Sequence, residues 1–102
     1  MAKVIAMYGI PTEREAFDSY YFDKHVPLAK KLLGLRSHEV TRGSITTLDG
    51  IAPYHMIATL TFDSVAAVQA ALASPEGQAF AADLANFATG GVEIMIADTA
   101  MV

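Results

Sequence analysis

The sequence predicts an α+β domain of the ferredoxin-like type, with the element order β-α-β-β-α-β and a four-stranded antiparallel sheet. Two observations predict it: short apolar segments of strand length alternate with longer helical segments, and capping or breaking residues bound the helical segments. The strand segments are residues 3–9, 35–42, 54–62 and 92–97, and the helical segments are residues 12–34 and 65–87. Both helical arms then lie on one face of the sheet, and the other face is bare.

Size and composition favour one domain that pairs with a second copy. The chain has 102 residues, enough for a single domain over residues 1–102 with a real core. Its hydrophobic share of 53% and charged share of 18% are unusual for so small a domain, which has much surface to cover with polar groups. Since the predicted outer strands are apolar on both faces, the bare sheet face should pack against the same face of another copy. The sequence therefore predicts a homodimer through the sheet face.

Composition also disfavours several classes of protein and site. The formal net charge of -4 argues against nucleic-acid binding, which needs clustered lysine and arginine. No apolar run approaches the roughly 20 residues that span a bilayer, so we expect a cytoplasmic protein with no membrane partner. Cysteine is absent, and no histidine pair has the i, i+3 or i, i+4 spacing of helical metal ligands. With no glycine-rich phosphate loop either, we expect no metal and no other cofactor.

The first strand covers Lys3–Gly9, where apolar residues occupy both faces. The helix that follows is predicted to start at Thr12. Thr12 and Glu15 have the spacing of a capping box, and Pro11 closes the strand ahead of them.

This helical segment is predicted to break beside a histidine. Pro27 has no amide hydrogen for the carbonyl four residues back, so the helix should kink or restart between Asp23 and Val26. His25 lies at the break. Steps of three and four residues place one stripe toward the sheet, made up of Phe17, Tyr21, His25 or Leu28, and Leu32. The imidazole of His25 is therefore expected to point toward the buried side.

The middle of the chain is read as two strands joined by a loop. Gly34 ends the helical segment, and residues 35–42 alternate as a strand with Arg36, His38, Val40 and Arg42 on one face. Residues 43–53 are predicted to form a loop too long for a tight hairpin, of a length that often borders a pocket. Tyr54–Phe62 is the clearest strand, and His55 near its start is expected to be exposed.

The last third supplies the second helical arm and the final strand. Ser64 is predicted to cap a helix over Val65–Ala73, and Ser74 with Pro75 to start a second piece. That piece should pack Phe80, Leu84 and Phe87 into the core. The Gly90 and Gly91 pair ends it, and Val92–Ala97 is the last strand.

A set of residues spread over nearly the whole chain resembles the EthD family. They are Tyr21, His25, Pro27-Leu28, Gly34-Leu35-Arg36, Glu39-Val40, Phe62-Asp63-Ser64 and Ser74-Pro75-Glu76-Gly77. The resemblance implies a dimeric α+β barrel. It also implies that His25 lies in a pocket between helices and sheet, facing a second-strand position that is usually tyrosine and is His38 here.

The candidate catalytic residues are His25 and His38, and the candidate substrate-binding residues are Tyr8, Phe17, Tyr21 and Leu28. An imidazole in such a pocket acts as general acid or base, or donates a hydrogen bond to a bound carbonyl. The alternative for His25 is structural, because it could satisfy carbonyls that the break at Pro27 leaves free. The alternative for His38 is a solvated position on a strand that also carries arginines.

The candidate residues, together with the resemblance to the EthD family, favour a cofactor-independent enzyme that acts on a small apolar or carbonyl-bearing organic molecule, by proton transfer of the isomerase or lyase type, in catabolism. Two alternatives stay open. One is a cofactor-free monooxygenase of the same barrel type, and the other is a non-catalytic accessory protein that binds a hydrophobic metabolite. One fold hosts all three, so the sequence does not choose among them.

Overall fold

The computed structural model describes residues 1–102 and has the predicted α+β architecture. The strands are β1 (Ala2–Gly9), β2 (Ser37–Val40), β3 (Thr46–Thr47), β4 (Gly50–Ile51), β5 (Tyr54–Phe62) and β6 (Val92–Asp98). The helices are α1 (Arg14–Tyr20), α2 (Val26–Ala29), α3 (Val65–Ala73) and α4 (Pro75–Ala82), with a π-helical turn at Tyr21–His25 and a 3-10 turn at Asp83–Asn86. No helix is long and apolar enough to cross a membrane.

The main sheet has the strand order β2-β5-β1-β6, and all its neighbours are antiparallel. Alternate residues of β1, namely Val4, Ala6 and Tyr8, are buried with the helices, and the β5 residues opposite them are buried as well. The core therefore lies between one sheet face and the two helical arms, as the ferredoxin-like order requires.

The opposite, outer face of the sheet has an apolar centre. Register places Ile5 beside Thr59 and Met95, and Met7 beside Ile57. These side chains are only partly covered within the chain. Val92, Ile94 and Ile96 point to the helix side of β6, since they pair with Tyr8, Ala6 and Val4. Ile94 and Ile96 remain 44% exposed there, so the edge strand is apolar on both faces and incompletely covered on both.

The predicted capping box at Thr12 is wrong. Helix α1 begins at Arg14, and its cap residue Glu13 makes no side-chain capping bond. The backbone N–H of Thr12 instead donates to the hydroxyl of Thr89, 3.1 Å away, and the two hydroxyls are 3.4 Å apart. A contact with the turn ahead of β6 thus replaces the local cap.

Two other boundaries differ from the sequence prediction. In the first helical arm, the last helix, α2, ends at Ala29. A series of turns then leads to Gly34, whose φ of 87° favours glycine. The predicted loop 43–53 contains a small hairpin formed by β3 and β4. The caps of the second arm are confirmed, because Ser64 accepts from the N–H of Ala67 and Ser74 accepts from the N–H of Gly77.

The elbow between α3 and α4 depends on the small size of Gly77. A Cβ there would overlap backbone atoms of Ala71 and Leu72, which no side-chain rotation relieves. We expect Gly77→Ala to lower the free energy of unfolding by about 2 kcal/mol, despite the better helix propensity of alanine. Urea unfolding measures this. Gln78→Ala, at the next and exposed position, is the control, and equal stability of the two variants would contradict the close packing.

Candidate functional site

The predicted helix break is present as a π-helical turn that brings His25 into the core. The N–H of Val26 donates to the carbonyl of Tyr21, five residues back, and Pro27 cannot donate at all. The N–H of Lys30 donates to the carbonyl of Val26, four residues back, so regular α-helical bonding resumes there. Tyr21 and His25, the first and last residues of this turn, are both buried.

His25 forms a buried pair with Asp83, a residue of the opposite helical arm. The Nδ1 of His25 lies 2.9 Å from Oδ2 of Asp83. The carboxylate also accepts hydrogen bonds from the hydroxyl of Tyr20 at 2.6 Å and the amide of Asn86 at 2.9 Å. Burial alone would raise the pKa of Asp83, but the bonds from Tyr20, Asn86 and His25 outweigh it and hold that pKa below its usual range. Asp83 is therefore an anion at neutral pH.

The other ring nitrogen of His25, Nε2, is buried and has no hydrogen-bond partner. Burial lowers the pKa of His25, and the attraction of Asp83 only partly offsets that effect. A neutral imidazole that donates Nδ1–H to the carboxylate leaves an unshared electron pair on Nε2. Phe80 stacks on the ring with centroids 4.5 Å apart, and Phe87 lies at 4.7 Å. The geometry thus gives an oriented, unprotonated base in an apolar enclosure.

His38, on β2, is bonded to Tyr21. Its Nε2 lies 2.8 Å from the Tyr21 hydroxyl. Burial raises the pKa of Tyr21, so the phenol keeps its proton, and its O–H donates a hydrogen bond to Nε2 of His38. The pKa of His38 is lowered by burial first, then by the repulsion that protonation of His25 as well would create, and then by the positive charge of Lys30. Tyr21 lies between the two histidines, with its ring centroid 5.3 Å from that of His25 and 6.0 Å from that of His38.

The remaining predicted site residues pack around these histidines. Tyr8, Phe17, Tyr21 and Phe87 form an aromatic cluster whose neighbouring centroids are 5.2 to 6.0 Å apart. Burial, and then the charge of Asp83, raise the pKa of the Tyr8 phenol. Leu28 is partly buried against the core. Of the six predicted residues, the structure buries Tyr8, Phe17, Tyr21 and His25, whereas Leu28 and His38 are only partly buried.

A cavity of about 650 Å³ lies elsewhere, between α1, the segment after β2, and the start of β5. None of the six predicted residues lines it. Its polar lining includes Arg14, Asp18, Arg42 and His55, and about half of the lining is apolar. This volume is in the range of small-molecule sites.

The expectation that His55 is exposed is wrong, because its side chain is only 10% exposed. Gly9 pairs with Tyr54 and Tyr8 with Met56, so His55 is the extra residue of a β-bulge and has no partner on β1. Its Nε2 lies 2.7 Å from Oδ1 of Asp18, and its Nδ1 lies 3.2 Å from Arg14. Only the bulge, which the sequence does not signal, turns this side chain toward α1.

The structure contains no group of three or more histidine, aspartate or glutamate side chains placed to hold a metal ion.

Comparison with known proteins supports one family. The model of the EthD domain matches residues 11–91. An uncharacterised 11.0 kDa protein from the thcB-thcC intergenic region of Rhodococcus erythropolis is 41% identical over 99 residues, which cover 96% of this chain and 94% of that protein. The crystal structure of an ethyl tert-butyl ether D (EthD) family protein of Bacillus halodurans has a TM-score of 0.89 and 33% identity, and covers 98% of this chain and 99% of that one.

More distant structures share the fold. SnoaB of Streptomyces nogalater, described as a cofactor-independent oxygenase, has a TM-score of 0.70 and 16% identity over 99% of this chain and 94% of its own. A protein of unknown function from Bacteroides fragilis, described as dimeric and ferredoxin-like, has a TM-score of 0.63 and 18% identity over 96% and 95%. At these identities the likeness concerns the fold alone. The match over residues 11–91 and the 41% identity together show that this chain belongs to the EthD family.

Proposed function

We propose that the chain is a cofactor-independent enzyme that transfers a proton on a small apolar or carbonyl-bearing organic molecule, in the manner of an isomerase or lyase. His25 is the base, and Asp83 orients it. The observation that carries the proposal is the buried Nε2 of His25, which has no partner while Nδ1 is fixed by a carboxylate.

The chemistry follows from the two ring nitrogens. Nε2 can take a proton from a carbon next to a carbonyl, and the imidazolium that forms is stabilised by Asp83 at 2.9 Å. The carboxylate stays ionised because three donors hold its oxygens. Tyr21, whose ring centroid lies 5.3 Å from that of His25, can turn its O–H from His38 to the developing enolate oxygen. The same base can return the proton to another carbon, which completes an isomerisation.

Substrate must displace side chains to reach Nε2, because His25 is 0% exposed. The π-helical turn is suited to such movement, since its hydrogen bonding departs from the regular helix and such turns recur at functional sites. The apolar enclosure selects for an apolar substrate and excludes water from the base.

Two alternatives differ in what they require of His25. A cofactor-free monooxygenase would use the same base to form a carbanion that reacts with oxygen, and the shared fold with SnoaB supports it. A non-catalytic binding protein would need only the apolar enclosure. Oxygen consumption identifies the first, and ligand retention by a variant without the imidazole identifies the second.

The activity prediction uses the residues of the buried pair. Incubation of the protein with a panel of lactones, β-diketones and enolisable aryl ketones in deuterium oxide should introduce deuterium next to a carbonyl, as measured by proton NMR. We expect His25→Gln to slow exchange by about 100-fold or more, and Asp83→Asn to slow it less. Asp23→Asn removes an exposed carboxylate from the same turn and is the control. Exchange that is as fast in His25→Gln as in the unaltered protein would contradict the assignment of His25 as the base.

The lowered pKa values of His25 and His38 predict the pH dependence of stability. Both lie below the ordinary value of 6.5, so in the window just below pH 6.5 the unfolded chain binds protons that the folded chain does not. Above that window the contribution of the two histidines to stability is fully present. As the pH is lowered through the window, the free energy of unfolding decreases by up to about 1.4 kcal/mol per pH unit for each proton. Urea unfolding between about pH 7 and 5.5 measures the slope. His25→Gln and His38→Gln should each flatten it, and an unchanged slope in the double variant would rule out both histidines as its source.

We propose in addition that two copies associate through the outer sheet face. The apolar centre of that face, formed by Ile5, Met7, Ile57 and Met95, supports this, because monomers seldom leave such a patch bare. Buried in an interface, a lysine at this centre would be an unpaired charge and would cost several kcal/mol.

Ile57→Lys should therefore convert a dimer to a monomer in light scattering. Leu33→Lys, at a position 86% exposed and outside the sheet, is the matched control. A dimer that persists in Ile57→Lys, or a monomeric native protein, would contradict this interface.

A further inference from the structure

We infer that the cavity beside His55 is a second site, which binds the carboxylate of a small amphipathic anion between Arg14 and Arg42. This site lies beyond the proposed role of His25 and does not depend on it. The aromatic cluster separates the two, because Phe17 contacts His55 on the cavity side and Phe87 contacts His25 on the other.

The charge of the cavity points to an anion. Arg14, Arg42, Asp18 and His55 are its charged or basic groups. Asp18 accepts a hydrogen bond from Nε2 of His55, and one amino group of Arg14 donates to Nδ1 of the same ring. Both ring nitrogens of His55 are therefore engaged by side chains of the cavity. Two guanidinium groups then face one carboxylate in a chain whose formal net charge is -4.

Both guanidinium groups are free to bind a ligand. Neither Arg14 nor Arg42 forms an ion pair, whereas Arg36, outside the cavity, is paired with Asp63 at 2.8 Å. Arg14 donates one N–H to His55, and its other N–H groups remain available to a ligand. A guanidinium group binds a carboxylate through paired, charge-assisted hydrogen bonds, whereas the ammonium group of a lysine acts as a point charge. Arginine is therefore better suited than lysine to hold a carboxylate at the open end of a cavity.

The apolar half of the lining requires a ligand with an apolar body. Phe22 is 51% exposed and Ile51 is 80% exposed, and both line the cavity, where they leave apolar surface uncovered. Ile45 and Met56 extend the same wall. A ligand that covers these side chains gains hydrophobic free energy, and its carboxylate reaches the arginines. Medium-chain fatty acids and aryl-substituted acids have this form.

Titration calorimetry with octanoate and phenylacetate, each against its neutral amide, tests the inference on the whole protein. We expect each acid to bind at least about tenfold more tightly than its amide, because hydrogen bonds between ions are stronger than neutral ones. Arg42→Gln should weaken the acids by about the same factor and leave the amides unchanged. His25→Gln should not alter either affinity.

Arg36→Gln is the matched control, because it removes an exposed arginine outside the cavity. Backbone amide shifts in NMR should map the acids to residues 41–45 and 51–56. The inference is overturned if acids and amides bind alike, if Arg36→Gln weakens the acids as much as Arg42→Gln does, or if neither acid binds at millimolar concentration.

Discussion

The hydrogen bond between His25 and Asp83 is the contact on which the interior of this protein depends. It joins residues 58 positions apart in the chain and ties the first helical arm to the second across the core. A histidine and a carboxylate buried together are stable only if their remaining groups are satisfied. Tyr20 and Asn86 provide this for the carboxylate. Within the chain nothing provides it for Nε2 of His25, which is the one buried side-chain nitrogen or oxygen without a hydrogen-bond partner.

Each irregular turn in the helices has a role in making this contact. Pro27 has no backbone N–H to donate, so the helix forms a π turn just ahead of it. His25, the last residue of that turn, points into the core. The second arm changes to a 3-10 turn after Ala82, which brings Asp83 and Asn86 to the same place. Two regular helices would have presented these residues at other angles. The helices therefore depart from regular hydrogen bonding at the point where these side chains meet, as is common at functional sites.

Sequence reasoning was sound where local chemistry decides the outcome. Pro27 marked the break, the apolar stripe predicted the burial of His25, and the two serine caps set the start of α3 and α4. It could not find Asp83, because an aspartate at the end of a helical segment is normally solvated and its partner lies in the other arm. It also missed the bulge at His55 and the bond between Thr12 and Thr89. All three depend on contacts between distant parts of the chain, which outweigh local propensity.

The chain contains two histidine and aspartate pairs, and their surroundings give them different chemistry. His25 donates through Nδ1 and keeps a free Nε2 in a closed, apolar enclosure. His55 has both nitrogens engaged, by Asp18 and Arg14, at the wall of a cavity, so it has no free electron pair to offer a substrate. The first arrangement has the geometry for proton abstraction, and the second fixes the positions of Asp18 and Arg14 at the cavity wall. Phe17 packs edge-on against His55 at 4.9 Å and against Phe87 at 5.2 Å, and Phe87 in turn contacts His25, so aromatic side chains fill the space between the two pairs and keep their surroundings apart.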